Sequence, residues 1–128
     1  MFDSSFNTKQ QGNVGIGSAI AYFTMQKAVV CLPLNDSQDY DLIVDINGTL
    51  YKVQVKTTRH RAPSGSYAAT LKSSGGTSGV VTGNVASSGA DLLFILTQSG
   101  TRYLLPREVF SLVKSEITLG DKYKDYIV

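Results

Sequence analysis

The dipeptide Asn47-Gly48 constrains the fold of this chain more than any other feature. Both residues tolerate positive φ, and an Asn-Gly pair between two β-rich runs marks a two-residue hairpin turn. The runs here are Tyr40-Asp41-Leu42-Ile43-Val44-Asp45-Ile46 and Thr49-Leu50-Tyr51-Lys52-Val53-Gln54-Val55-Lys56. With Asn47 and Gly48 as the loop, Ile46 faces Thr49, and counting outward sets Asp41 opposite Gln54. Side chains alternate along a strand, so Leu42, Val44, Val53 and Val55 share the core face. Asp41, Lys52, Gln54 and Lys56 share the other. A slip of one residue would turn every side chain to the wrong face, so the apolar set fixes the register. A carboxylate, an amide and an ammonium then gather within roughly 5–7 Å on a rigid platform. Such a set can hold a hard cation and a water beside a phosphate.

The rest of the chain supplies the body on which this hairpin sits. At 128 residues the length predicts one domain spanning residues 1–128, large enough to bury a core without metal or disulfide staples. Apolar residues make up 42% and charged residues 17%, a globular rather than disordered balance. The single cysteine, Cys31, excludes an internal disulfide and a Cys-rich zinc site. It lies in the run Ala28-Val29-Val30-Cys31-Leu32 and reads as a small buried hydrophobe, in keeping with a reducing, cytoplasmic setting. No stretch approaches the roughly 20 apolar residues of a membrane span. The N-terminal residues lack the basic and apolar regions of a signal peptide.

Periodicity predicts a helix from about Thr8 to Lys27, capped by Asn7 or Thr8, with Ile16, Ile20 and Phe23 on its buried face. Its small residues, Gly12, Gly15, Gly17, Ser18, Ala19 and Ala21, predict close packing against a neighbour or a backbone approach to a ligand. A strand from about Ala28 to Leu32 ends at Pro33, and Asn35-Asp36-Ser37 is turn chemistry, with Asp36 a turn residue. After the hairpin and a Pro63-Ser64-Gly65-Ser66 loop, Ser66 to Leu71 reads as a strand. Ser73 to Gly89, rich in Gly, Ser and Thr, reads as a mobile connection or irregular edge. Asp91 to Gln98 is apolar on both faces, so it reads as a central strand, paired with Thr101 to Leu105. Pro106 opens a short helix through about Val113, and a tail with Tyr123 and Tyr126 packs on the body. This order predicts an α+β or mixed-sheet α/β arrangement.

Phosphodiester hydrolysis needs a cation to neutralise developing charge, an activated water, and a group that positions water or phosphate. Mg²⁺ takes few protein oxygens and keeps its remaining waters. Asp41 can supply a carboxylate oxygen, Gln54 an amide oxygen and Val55 its backbone carbonyl. Lys56 can hold the water or the scissile phosphate. The bland alternative is an ordinary polar sheet face open to solvent. Net charge is only +2, but Lys52, Lys56, Arg59, His60 and Arg61 fall within one short segment. Lys56, Arg59 and Arg61, with Lys9 and Lys72, are the candidate phosphate contacts. His60 reads as a loop or phosphate contact rather than a general base, because no acid near it in sequence would orient it. Asp45 shares the Asp41 face but lies too near the turn to join the site.

Asp41, twelve intervening residues and then Gln54-Val55-Lys56 resemble the PD-(D/E)xK nuclease signature, in which an acid opens one strand and acid-x-lysine lies on the next. The resemblance is nearer to the group I intron-associated homing endonucleases of that superfamily, which carry Gln-x-Lys. Thr8-Lys9-Gln10-Gln11-Gly12, Ala19-Ile20-Ala21-Tyr22-Phe23, Pro33-Leu34-Asn35-Asp36-Ser37, Tyr40-Asp41-Leu42-Ile43, Val53-Gln54-Val55-Lys56-Thr57-Thr58, Asp91-Leu92-Leu93-Phe94 and Tyr103-Leu104-Leu105-Pro106 all fit that group. The resemblance therefore covers nearly the whole chain. It implies a restriction-endonuclease-like core, a mixed β-sheet flanked by helices. It also implies cleavage of double-stranded DNA with Mg²⁺, Mn²⁺ being an alternative ion, by a homodimer or homotetramer. The family often places a glutamate on the first helix, and by its spacing to Asp41 that position here is Ile16, with Gln10 or Gln11 as partial substitutes. Loss of that acid leaves a catalytically weakened DNA-binding module of the same fold as an alternative. A Holliday-junction-resolvase-like enzyme and an interaction domain with no nucleic-acid role are the others.

Overall fold

The computed structural model describes residues 2–35, 37–75, 80–84 and 89–128. Its centre is a mixed sheet in the order β1 (Val29–Cys31), β2 (Leu42–Ile46), β3 (Thr49–Thr58), β7 (Leu92–Thr97) and β8 (Arg102–Pro106). Between β3 and β7 the chain makes β4 (Ala68–Thr70), β5 (Lys72–Gly75) and β6 (Val80–Asn84). Helix α1 (Thr8–Met25) precedes the sheet. Helix α2 (Arg107–Phe110), β9 (Glu116–Thr118) and a 3₁₀ helix (Asp121–Tyr126) follow it.

The hairpin takes the register that its turn dictates. Asn47 and Gly48 have φ of 53° and 88°, and the ladder runs from Ile46↔Thr49 to Leu42↔Val53. β3 pairs with β7 in parallel, and β7 pairs antiparallel with β8. The Asp91 backbone N–H donates to the Lys52 carbonyl at 2.8 Å, and its carboxylate accepts from the Lys52 N–H at 2.9 Å. That double tie fastens the start of β7 to the strand that carries Gln54 and Lys56.

The sheet buries both faces around β7. Phe94 and Leu96 pack with Leu42, Val44, Val53 and Phe23 under α1. Leu93 and Ile95 pack on the other side with Leu71, Leu105, Phe110 and Ile117. The outer edge of β8 is closed by the tail: Ile127 bridges to Tyr103, and the Val128 N–H donates to the Arg102 carbonyl at 3.0 Å. Tyr123 is buried and Tyr126 packs beside it, as the sequence predicts for the tail.

Helix α1 departs from the predicted face. Its fully buried residues are Gly15, Ala19 and Phe23, while Ile16 and Ile20 flank the contact. The reason is distance. A Cβ on Gly15 would sit 2.5 Å from Thr57 Cγ2 and 3.2 Å from Val55 Cγ1, so only glycine lets the helix lie this close to β3. Gly12 and Gly17 have open space at that position. Gly15→Ala is expected to destabilise the protein by about 1–3 kcal/mol through overpacking against β-branched side chains. Gly12→Ala is expected to stabilise it by about 0.5–1 kcal/mol. Equal urea midpoints for the two variants would contradict this packing account.

Other expectations are corrected locally. Cys31 is exposed, not buried, because edge strand β1 turns Val29 and Cys31 to the side of the sheet away from α1. Ser73–Gly89 is not simply an irregular connection: β5 and β6 pair antiparallel, with residues 76–79 and 85–88 outside the described residues. The predicted turn residue Asp36 also lies outside them. Helix α2 is shorter than expected, and Pro106 ends β8 and stands as its N-cap.

Candidate active site

Asp41 stands one residue before β2, where the regular ladder stops. Its backbone N–H donates to the Val53 carbonyl at 2.9 Å, and its Oδ2 accepts from the Val55 N–H at 2.7 Å. The two bonds bracket Gln54. The side chain thus takes over an acceptor position that a backbone carbonyl would fill in a continued ladder, and this fixes the carboxylate against β3. Odd-numbered residues of β3 turn their backbone groups toward β2, and β2 has already ended at this level. The Val55 carbonyl therefore points to the same side as the Asp41 carboxylate.

Lys56 follows on the face of Gln54, both half-buried. Burial pushes the Lys56 ammonium below its ordinary range, and the Asp41 carboxylate opposes that shift. Burial raises the Asp41 carboxyl, opposed by the Val55 hydrogen bond and by Lys56. Each charge is thus costly alone and eased by the other. Oppositely shifted groups side by side are common at functional sites, because such environments tune proton and metal affinity.

From Lys56 a cleft of about 370 Å³ runs along the end of β3, lined there by Thr57, Thr58, Arg59 and His60. Gln11 of α1 forms one side; Thr70 and Glu116, paired across β4 and β9, form the other. Asp41 and Gln54 do not line this cleft, so Lys56 is where the Asp41 corner and the cleft meet. Gln11 Nε2 donates to Thr57 Oγ1 at 3.1 Å, anchoring the helix residue beside Lys56. Gln10 is engaged elsewhere. Its Oε1 accepts from the Asn7 N–H at 2.9 Å, while Asn7 Oδ1 accepts from the Gln10 N–H at 2.8 Å, the reciprocal cap of α1. Ile16 packs into the apolar cluster under the sheet and is not in the cleft lining.

The basic residues separate. Arg59 lines the cleft and donates to the Asp3 carbonyl at 3.4 Å. Arg61 folds onto its own loop, donating to the Gly65 carbonyl at 2.7 Å and the Tyr67 hydroxyl at 3.0 Å, with its guanidinium 4.1 Å from the Tyr67 ring centroid. Lys9 is exposed on the first turn of α1 and outside the cleft lining. Lys72 opens β5. Asp45 accepts from the Gly48 N–H at 2.8 Å, which ties it to the hairpin turn. Gln11 and Glu116 are the cleft residues that sequence reading underweighted. Helix amides read as solvent-facing, and Glu116 sits on a strand too short to show an alternating pattern.

A mixed sheet with an acid docked beside a Gln-x-Lys strand defines a restriction-endonuclease-like fold. A family model described as PD-(D/E)XK endonuclease matches residues 6–125, and the chain belongs to that family. Among solved structures it is similar to a bacterial homing endonuclease, I-Ssp6803I, at 27% identity and a TM-score of 0.78. The likeness covers 93% of this chain and 82% of that one. No curated protein gives a significant match. No helix among the described residues is long and apolar enough to cross a membrane.

Proposed function

We propose that the protein is a Mg²⁺-dependent endodeoxyribonuclease of homing type acting on double-stranded DNA, with Asp41, Gln54 and Lys56 as its catalytic residues. The observation that carries the reading is the docking of Asp41 onto β3 by two hydrogen bonds that bracket Gln54, with Lys56 as its charge partner. The donor set suits a hard cation. With Oδ2 accepting from the Val55 N–H, Asp41 keeps Oδ1 for a metal, and the Val55 carbonyl and the Gln54 amide oxygen complete the proposed donor set. Among the described residues no group of three His, Cys, Asp or Glu is gathered, which suits Mg²⁺, an ion that keeps most of its waters, better than a fully caged transition metal. Mg²⁺ or Mn²⁺, when bound, supplies charge neutralisation at the phosphate. Lys56 holds the scissile phosphate or the attacking water by a charge-assisted hydrogen bond. Arg59 and His60 extend the phosphate track, and Lys9 and Lys72 are outlying contacts. Arg61 stiffens its loop and contributes to DNA binding through that loop.

The proposed metal-donor set contains one carboxylate, Asp41, and this favours a second reading, a weakly active DNA-binding module of the same family. Cleavage of supercoiled plasmid and branched DNA across a Mg²⁺ titration separates the two. Cutting both strands of a duplex calls for two sites, so a homodimer or homotetramer of this single-domain chain is the proposed working form, acting in the cytoplasm. Sedimentation with bound duplex tests that assembly; a strict monomer would exclude a concerted double-strand cutter.

The site also sets an expected pH profile. Asp41 has its carboxyl raised above 3.8, and only the ionised form binds a cation. Cleavage should therefore fall on the acid side at a pH above 3.8, and extra Mg²⁺, competing with the proton, should move that limb to lower pH. Lys56 has its ammonium lowered below 10.5, so the alkaline limb should lie below that value. An acid limb that ignores Mg²⁺ concentration would detach Asp41 from the metal.

A further inference from the structure

Glu116 brings a negative charge to the wall of a cleft otherwise suited to a polyanion. It shares that cleft with Lys56, Arg59 and His60, and it is exposed. Among the described residues its carboxylate has no hydrogen-bond or ion-pair partner. It belongs to no gathered set of metal-ligating side chains among the described residues. A carboxylate facing phosphates repels them, and phosphates offer only acceptors. The donors that duplex DNA presents are base amino groups, displayed in the major groove by cytosine N4 and adenine N6.

The element that carries Glu116 has the shape for that groove. β4 and β9 form a two-stranded antiparallel ribbon with Thr70 opposite Glu116 and Ala68 opposite Thr118. Ala69 and Ile117 face the core and Ala68 is buried as well, so the exposed part of the ribbon is Thr70, Glu116 and Thr118. The major groove admits a two-stranded ribbon, and a carboxylate there accepts from cytosine N4. Ribbon and end of β3 are joined directly, because Thr58 Oγ1 donates to the Ala68 carbonyl and the Ala68 N–H to the His60 carbonyl. A duplex whose phosphate rests on Lys56 would thus bring its groove against the ribbon.

We propose that the β4–β9 ribbon lies in the major groove beside the scissile phosphate and that Glu116 reads one base there, accepting a hydrogen bond from the N4 amine of cytosine. This rests on the nuclease reading of the Lys56 cleft. Phosphate contacts position the duplex without reading it; Glu116 supplies discrimination.

The test selects binders from a pool of randomised duplexes at low salt without Mg²⁺, for wild type, Glu116→Ala and Glu116→Gln. Wild type should enrich cytosine at one position by at least about fivefold. Glu116→Ala should lose that preference alone, and Glu116→Gln should move it toward adenine, whose N6 and N7 match an amide. Identical preferences in all three proteins would overturn the proposal while leaving the nuclease reading intact. So would a shift of about tenfold in the Mg²⁺ requirement for cleavage with base preference unchanged, which would assign Glu116 to the metal site instead. If no protein retains any duplex, the cleft is not a DNA groove, and both readings fall.

Discussion

Replacing Asp41 by Asn is expected to reduce DNA cleavage by more than about a hundredfold, beyond the cost of losing an outer-shell partner of a metal site. Duplex binding should hold or tighten. Asn keeps an acceptor oxygen for the Val55 N–H, so the junction of β2 and β3 survives the change. What disappears is the formal negative charge beside Lys56. Metal affinity falls with it, while a phosphate approaching Lys56 meets less repulsion. Lys56→Ala should also stop cleavage, but it should weaken binding and flatten its salt dependence, because a phosphate contact is lost. The two variants therefore separate the metal role from the phosphate role. If Asp41→Asn cuts plasmid as fast as wild type, the activity arises elsewhere on the chain and the hairpin is only a scaffold.

That prediction was legible in the sequence because its physics is local. Asn47-Gly48 sets the turn, four apolar residues set the inward face, and register follows without any tertiary information. The double-sided apolar run of β7 was legible for the same reason, since burial on both faces writes itself into consecutive residues. What the sequence hid depends on contacts between elements. Hydropathy favoured Ile16 as a core residue of α1, but the closest approach belongs to Gly15, which carries no hydropathic signal. Cys31 looked buried because an apolar triplet does not show whether its strand lies at an edge. Arg61 looked like a free cation until Tyr67 was placed against it. The Gly/Ser-rich span carries no alternating apolar pattern from which the β5–β6 pairing could be read.

A second large effect is expected on α1, where spacing to Asp41 sets the family's first-helix acid at Ile16. Ile16 is half-buried at the margin of the apolar cluster and outside the Lys56 cleft, so Ile16→Glu would press a carboxylate against apolar side chains while leaving it partly open to solvent. An unpaired, half-buried charge of that kind is expected to destabilise by about 1–3 kcal/mol. It should therefore lower the urea midpoint sharply and give no gain in activity. Gln11→Glu places the same charge one side of the Lys56 cleft, on a residue already hydrogen-bonded to Thr57, whose hydroxyl can donate as well as accept. The site would then offer a second carboxylate to a hard cation, and Mg²⁺ binds through one or two. The Mg²⁺ concentration for half-maximal cleavage should fall by about tenfold, the change expected from about 1.4 kcal/mol of added binding. Measuring cleavage across a Mg²⁺ titration beside urea unfolding distinguishes the positions. A folded, activated Ile16→Glu with an unchanged Gln11→Glu would mean that α1 presents a different face to the metal than the Gly15 contact dictates.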